Sequence, residues 1–217
     1  DEILGGVDLF FAPHINFISL SEKCRKIITI HDLSYLRYPE FFSARKNLWH
    51  RLINTRKLVK KFDSIIAVSE NTKRDIIELC DIPKEKVKVI FSGVGEEYRK
   101  INYELRITND NEKKLNEVKK KYGLPDKFIL YLGTIEPRKN ISGLILAFDR
   151  FNNENAWADN WNLVIAGARG WKNNEIDKIW QMSKYREKIK FVGFVEPAEK
   201  VFLYNLASLF AYPSFYE

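Results

Sequence analysis

The sequence has few of the residues and patterns that mark disulfide-linked, zinc-binding or membrane-spanning proteins. Only two of its 217 residues are cysteine, Cys24 and Cys80, and they stand in unrelated segments without CxxC or Cys/His spacing. This spacing supports neither a disulfide framework nor a zinc site, and it favours a reducing cytoplasm. No apolar run reaches the roughly 18 residues that cross a bilayer. We therefore expect a cytoplasmic protein that contacts membranes, if at all, at their inner face.

Two catalytic signatures are also missing. No GxGxxG follows a predicted strand, which argues against a NAD-linked dehydrogenase. No DxD motif is present, and the acidic cluster "NDNEKK" at 109–114 falls in a polar connection, so we expect neither a metal nor another cofactor.

The net charge points to anionic partners. Lys and Arg number 36 against 29 Asp and Glu, which gives +7 and favours nucleotides, phosphates, acidic lipids or nucleic acid. A nucleic-acid site would need exposed aromatic or arginine platforms. Most aromatic residues here fall in predicted strands or core positions, so we expect no nucleic-acid partner.

Short apolar runs alternate with longer amphipathic stretches along most of the chain. This alternation predicts an α/β fold built from βα units on parallel sheets. Strands are predicted at about 7–12, 26–31, 64–69, 86–91, 128–133, 162–167, 189–194 and 208–212. Helices are predicted at about 44–61, 70–79 (with Ser69 as N-cap), 110–122, 139–154, 173–184 and 197–207.

A polar, lysine-rich stretch at 92–127 interrupts this rhythm, and we place a domain connection near residue 101. The chain then divides into 1–101 and 102–217, each with about four strands. A doubly wound domain usually carries about six, so either the two domains are unusually small or both are incomplete. We expect two Rossmann-like domains that are both incomplete.

The segment 128–148, "FILYLGTIEPRKNISGLILAF", is the strongest local signal. Gly133 ends a strand where ligands of parallel sheets bind, and Arg138 and Lys139 follow near a helix N-terminus whose N–H groups attract anions. Together they favour a diphosphate site. The alternative is that both are solvated charges at an ordinary helix start, where cations are slightly unfavourable.

Two further strand ends carry related features. Gly167 ends the strand of "LVIAGARG" at 163–170, and Gly193 ends the next, with Ser214 and Glu217 following later. A lone glycine at such a place is more often a turn device. Because neighbouring parallel strands end at one edge, however, the three strand ends are expected to converge on one crevice.

The order and spacing of several segments resemble the retaining glycosyltransferases of family 4, and mannosyltransferase-like members are the most similar. The resemblance covers nearly the whole chain and implies the GT-B fold, with two Rossmann-like domains whose parallel sheets face a cleft. The segments are "ITIHDLSYLRYPEFF" at 28–42, "IIAVSENTKRDI" at 65–76, "VKVIFSGVGEEY" at 87–98, "YLGTIEPRKNISGLILAF" at 131–148, "LVIAGARG" at 163–170 and the stretch 192–217.

The resemblance also implies roles for individual residues. Lys139, with Arg138, would neutralise the donor diphosphate. Thr134 stands where many members carry an arginine, which leaves more of this task to those two cations. Glu217 matches the first glutamate of the EX7E motif, which reaches the donor sugar, and His31 of the "HD" pair would lie in the cleft near sugar and phosphate. The segment that lines the nucleobase pocket matches Gly193, Phe194 and Val195.

The implied activity is transfer of a hexose of the mannose or glucose type, with retention of anomeric configuration. The donor would be a nucleotide diphosphate sugar such as GDP-mannose or a UDP-hexose, and the acceptor a glycan or lipid-linked molecule. Two alternatives stay open: a sugar-nucleotide epimerase of the GT-B fold, and a nucleotide-binding fragment without catalysis.

Residues 43–61, "SARKNLWHRLINTRKLVKK", contain seven Lys or Arg and no acid. Leu48, Trp49, Leu52, Leu58 and Val59 offer an apolar stripe. Such a helix either lies on an anionic membrane surface or packs on its own sheet.

Overall fold

The computed structural model describes residues 6–16, 23–98 and 109–216. These residues separate into two compact units, one ending at Gly93 and the other running from Val94 to Tyr216. Each unit contains a parallel four-stranded sheet. The predicted domain connection at residue 101 lies outside the described residues.

The first unit contains a sheet with strand order β1-β2-β3-β4. Its strands are β1 (Leu9–Ala12), β2 (Arg25–Ile30), β3 (Ser64–Ala67) and β4 (Val87–Val89). Its helices are α1 (Ser34–Arg37), α2 (Ala44–Ile53), α3 (Thr55–Lys60) and α4 (Glu70–Cys80). Ser69 caps α4 as predicted, since its hydroxyl accepts a hydrogen bond from the Thr72 N–H at 3.0 Å.

The second unit has strand order β7-β6-β5-β8. Its strands are β5 (Phe128–Leu132), β6 (Asn162–Ala166), β7 (Ile189–Gly193) and β8 (Leu209–Phe210). Its helices are α5 (Asn109–Tyr122), α6 (Ile141–Glu154), α7 (Asn174–Met182) and α8 (Lys200–Leu206).

Alternating side chains of the central strands β5 and β6 enter two different cores. Phe128 and Leu130 belong to a cluster with residues of α5 and α8. Tyr131 and Ile165 belong to a second cluster with residues of α6 and α7. Both faces of the sheet are therefore covered, which explains the continuous apolar runs from which the strands were predicted.

Every predicted strand is present in the described residues, but the single helix predicted over 44–61 is divided into two helices, α2 and α3. Asn54 adopts the left-handed conformation, with φ of 50°, and ends α2 while its side chain caps α3. The redirected α3 then buries Leu58 and Val59, so these two residues are not part of an exposed stripe. No described helix is both long and apolar enough to span a bilayer.

The predicted helix over 139–154 begins two residues later than expected. Residues Pro137–Lys139 form a 3-10 turn, and Asn140, again left-handed, is the N-cap of α6. Arg138 and Lys139 thus belong to the turn between β5 and α6 and not to the first turn of the helix.

Candidate functional site

The three strand-end glycines of the second unit lie side by side. The N–H of Gly133 donates to the carbonyl of Ala166 at 2.9 Å, and the N–H of Gly167 donates to the carbonyl of Gly193 at 2.7 Å. The carboxyl ends of β5, β6 and β7 therefore form one continuous edge.

Gly167 is required by the packing of this edge. Its φ is +144°, and a Cβ at this position would overlap the carbonyl oxygen of Gly133. Only glycine fits where two backbone segments of the chain approach each other so closely. The glycine at this position thus has a structural reason.

The turn after β5 holds a buried ion pair that the sequence did not reveal. Nη2 of Arg138 lies 3.1 Å from Oε1 of Glu136, and both side chains are largely buried. Nη1 of Arg138 also donates to the carbonyl of Tyr216 at 2.8 Å. Arg138 is therefore not a solvated charge, and its guanidinium ties the turn to the segment after β8.

Lys139 is buried beside the strand end, with 6% of its surface exposed. Its Nζ lies 4.8 Å from the centre of the Tyr212 ring, and Tyr212 stacks on Tyr131 of β5 with centroids 5.4 Å apart. A Cβ at Gly133 would lie 3.2 Å from the same Tyr212 ring. One aromatic ring thus borders both the glycine edge and an ammonium group. A cation held away from water acts strongly on a nearby anion.

The segment after β8 runs along the turn that carries these cations. The side-chain amide of Asn140 donates to the carbonyl of Pro213 at 3.1 Å, and the N–H of Phe215 donates to the carbonyl of Arg138 at 3.0 Å. Between them, the hydroxyl of Ser214 is buried and has no hydrogen-bond partner in the described part of the chain. A buried hydroxyl without a partner costs about 1–3 kcal/mol, so Ser214 is suited to a polar ligand.

The remaining predicted residues of this unit differ in what they expose. Thr134 is exposed, and its carbonyl accepts a hydrogen bond from the hydroxyl of Tyr131 at 3.0 Å. Phe194 is exposed, whereas the side chain of Val195 is buried in the core. Val195 can therefore contact a ligand only through its main chain. Glu217 lies outside the described residues.

His31 stands at the carboxyl edge of the first unit's sheet, directly after β2. Its side chain is exposed, and Nε2 lies 3.0 Å from the carbonyl of Pro13. A carbonyl only accepts, so Nε2 carries a proton and Nδ1 of the neutral ring is an acceptor. The carbonyl of His31 accepts from the hydroxyl of Thr72 at 3.2 Å. Asp32 turns to the chain instead, accepting from the Ser34 N–H at 2.8 Å.

Two family models match the chain, and the gap between them at 99–109 lies a few residues after the boundary between the two units. The model for Glycosyltransferase Family 4 matches residues 6–98, and the model for Glycosyl transferases group 1 matches residues 110–217.

The chain belongs to the family 4 (group 1) glycosyltransferases.

Its similarity to individual glycosyltransferases extends over most of its length. It is 31% identical over 217 residues to the serotype-specific mannosyltransferase WbdA of Escherichia coli, covering 96% of this chain and 25% of WbdA. It is 30% identical over 218 residues to the O-antigen chain mannosyltransferase B of Escherichia coli, covering 96% of this chain and 50% of that protein. The chain thus spans a quarter to a half of the length of these relatives.

A solved glycosyltransferase structure confirms the GT-B fold predicted for this family member. Anabaena Alr3699/HepE, crystallised in complex with UDP and glucose, superposes with a TM-score of 0.67 at 18% identity, covering 98% of this chain and 54% of that one. The similarity in fold accounts for the two parallel sheets found here.

Proposed function

We propose that the protein transfers a hexose of the mannose or glucose type from a nucleotide diphosphate sugar to a glycan or lipid-linked acceptor, with retention of anomeric configuration. The observation that carries this proposal is the burial of Lys139 beside the row of strand-end glycines. The names of the relatives WbdA and O-antigen chain mannosyltransferase B favour mannose. The complex of HepE with UDP and glucose favours a nucleotide sugar as donor. A cytoplasmic location, at the inner face of the membrane, fits such a donor.

The second unit would hold the donor. Lys139 would contact the diphosphate, with main-chain groups at Gly133, Thr134 and Gly167 close to it. The nucleobase would lie against Gly193, Phe194 and the main chain of Val195. We assign the unpartnered hydroxyl of Ser214 to a hydrogen bond with the donor.

Arg138 would act indirectly, by fixing the position of the turn that carries Lys139. Its guanidinium already bonds Glu136 and the carbonyl of Tyr216. We therefore assign to Arg138 the placing of Lys139, and to Lys139 the contact with the phosphate oxygens.

Glycosyl transfer breaks the bond between the anomeric carbon and a diphosphate oxygen, so negative charge grows on the leaving group. A positive charge fixed beforehand at that oxygen lowers the barrier. In the retaining route, the acceptor oxygen forms its bond on the same face of the sugar, and the proton of the acceptor hydroxyl passes to the leaving phosphate. This route needs neither a carboxylate nucleophile nor a metal.

Two residues would act on the sugar. Nδ1 of His31 is suited to accept a hydrogen bond from a sugar hydroxyl. To donate a hydrogen bond to a phosphate, Nδ1 would first have to be protonated, which makes the ring an imidazolium. Glu217, matched to the EX7E motif, would reach further hydroxyls of the donor sugar. The two relatives named above are mannosyltransferases, which gives no support to the epimerase alternative.

Donor binding can be tested by calorimetry with GDP-mannose, UDP-glucose and UDP-N-acetylglucosamine. We expect one of them to bind, and Lys139→Ala to weaken binding about 10- to 100-fold, because a charge-assisted contact contributes about 1.5–3 kcal/mol. The matching nucleoside, which has no phosphate, should bind the variant as weakly as it binds the parent.

Lys127→Ala is the matched control. Lys127 also lies over an aromatic ring, 4.5 Å from the centre of Trp161, but at the opposite end of β5. Its loss should leave donor affinity unchanged. Equal weakening by both variants, or binding of none of the three donors, contradicts the proposed site. Retention is tested separately, by NMR of the anomeric linkage in the product.

A further inference from the structure

Helix α2 turns large apolar side chains towards solvent. The exposed fractions are 58% for Leu48, 43% for Trp49 and 66% for Leu52. With the exposed Arg45 they follow the spacing i, i+3, i+4 and i+7, which places them on one stripe of the helix.

The inward side of α2 explains why the helix cannot rotate to hide this stripe. The ring of His50 stacks on Tyr35 with centroids 3.8 Å apart and planes within 7°. The side-chain amide of Asn47 donates to the carbonyl of Pro39 at 2.9 Å, and Ile53 is buried. Polar and aromatic groups thus anchor the inner side, and the left-handed Asn54 fixes the end of the helix.

The surroundings of the stripe are strongly basic. Residues 43–61 contain no Asp or Glu, and all seven of their cations are exposed. Lys60 pairs with Asp81 at 3.0 Å, outside this segment. Exposed leucine and tryptophan flanked by Lys and Arg are the composition of helices that lie in the interface of an anionic bilayer.

We propose that α2 docks the protein on an anionic lipid surface, with Leu48, Trp49 and Leu52 entering the headgroup region and the flanking cations contacting lipid phosphates. The charge of the segment selects this occupant, since an apolar partner protein would not require seven cations and no acid. The inference stands apart from the proposed donor site, which lies in the other unit.

Vesicle flotation tests the proposal. The protein should float with vesicles of phosphatidylcholine and phosphatidylglycerol at low salt, and much less at high salt or with phosphatidylcholine alone. The double change Leu48→Ser and Leu52→Ser should lower partitioning by about tenfold or more. Leu146→Ser is the matched control, because Leu146 of α6 is equally exposed, at 56%, and should leave partitioning unchanged.

Tryptophan fluorescence identifies the contact itself. Trp49 is the one tryptophan before residue 93, and Trp157 in the other unit is more exposed, at 62%. Brominated lipids should quench a component that Trp49→Phe removes and Trp157→Phe retains. Circular dichroism of each variant verifies its fold.

Three results would overturn the proposal. These are binding without preference for anionic lipid, partitioning that the double leucine change leaves intact, and self-association that the same change abolishes. The last result would assign the stripe to a second copy of the chain.

Discussion

At the scale of single residues, the glycine edge makes a sharp prediction about stability. Gly167→Ala combines a strained φ with overlap against Gly133, and should cost about 2 kcal/mol or more. Gly193 also has a positive φ, +76°, but nothing lies within 4 Å of an added Cβ. Gly193→Ala should therefore cost only the backbone strain, about 1–2 kcal/mol.

Urea denaturation of both variants measures the two costs. If Gly193→Ala were as unstable as Gly167→Ala, overlap of the added Cβ with Gly133 would not explain why residue 167 must be glycine.

The sequence predicted only part of the surroundings of the proposed donor site. Gly133 and Lys139 could be proposed because a strand followed by glycine and a helix is a local pattern. The partners of Arg138 were not, because Arg138 and Tyr216 are 78 residues apart in the chain. Likewise, the pattern could not reveal that Val195 turns its side chain into the core. Tertiary contacts of this kind leave no periodic trace in a single sequence.

At the scale of elements, the seating of α2 makes stability depend on pH. Burial lowers the pKa of His50, and Lys46 adds to this while Asp32 opposes it. Its Nδ1 is buried with no hydrogen-bond partner among the described residues. Acidification therefore protonates the unfolded chain first, at about pH 6.5. This contribution to stability is full above that pH and is lost as the pH falls through the lower folded pKa.

His50→Phe should flatten the dependence of stability on pH below about pH 7 while keeping a ring against Tyr35. Denaturation of the parent and the variant at several pH values measures the effect. Identical slopes for both would exclude His50 as the source.

Elements were easier to predict than their ends. The buried strands are apolar on both faces and so stand out from the sequence. The break at Asn54 does not, because its flanks are rich in good helix formers, and the gain from burying Leu58 and Val59 is a tertiary effect.

At the scale of the whole molecule, the first unit has one hydrophobic core and the second has two, and each core is made only from residues of its own unit. We expect two calorimetric transitions, since units with separate cores can unfold separately. Ser69→Ala removes the cap of α4 and should lower the free energy of unfolding of the first unit by about 1 kcal/mol, so that its transition moves to a lower temperature. Gly167→Ala should lower only the other transition. A single transition moved by both variants would contradict this expectation.

The hydrogen bonds between the 3-10 turn at Pro137–Lys139 and the segment after β8 have one more consequence. They fix the turn and this segment against each other, and with them Lys139 and Ser214. Binding of the proposed donor would therefore sacrifice little conformational entropy in this loop, and more of the contact energy would remain for affinity. In this sense the proposed site is preorganised.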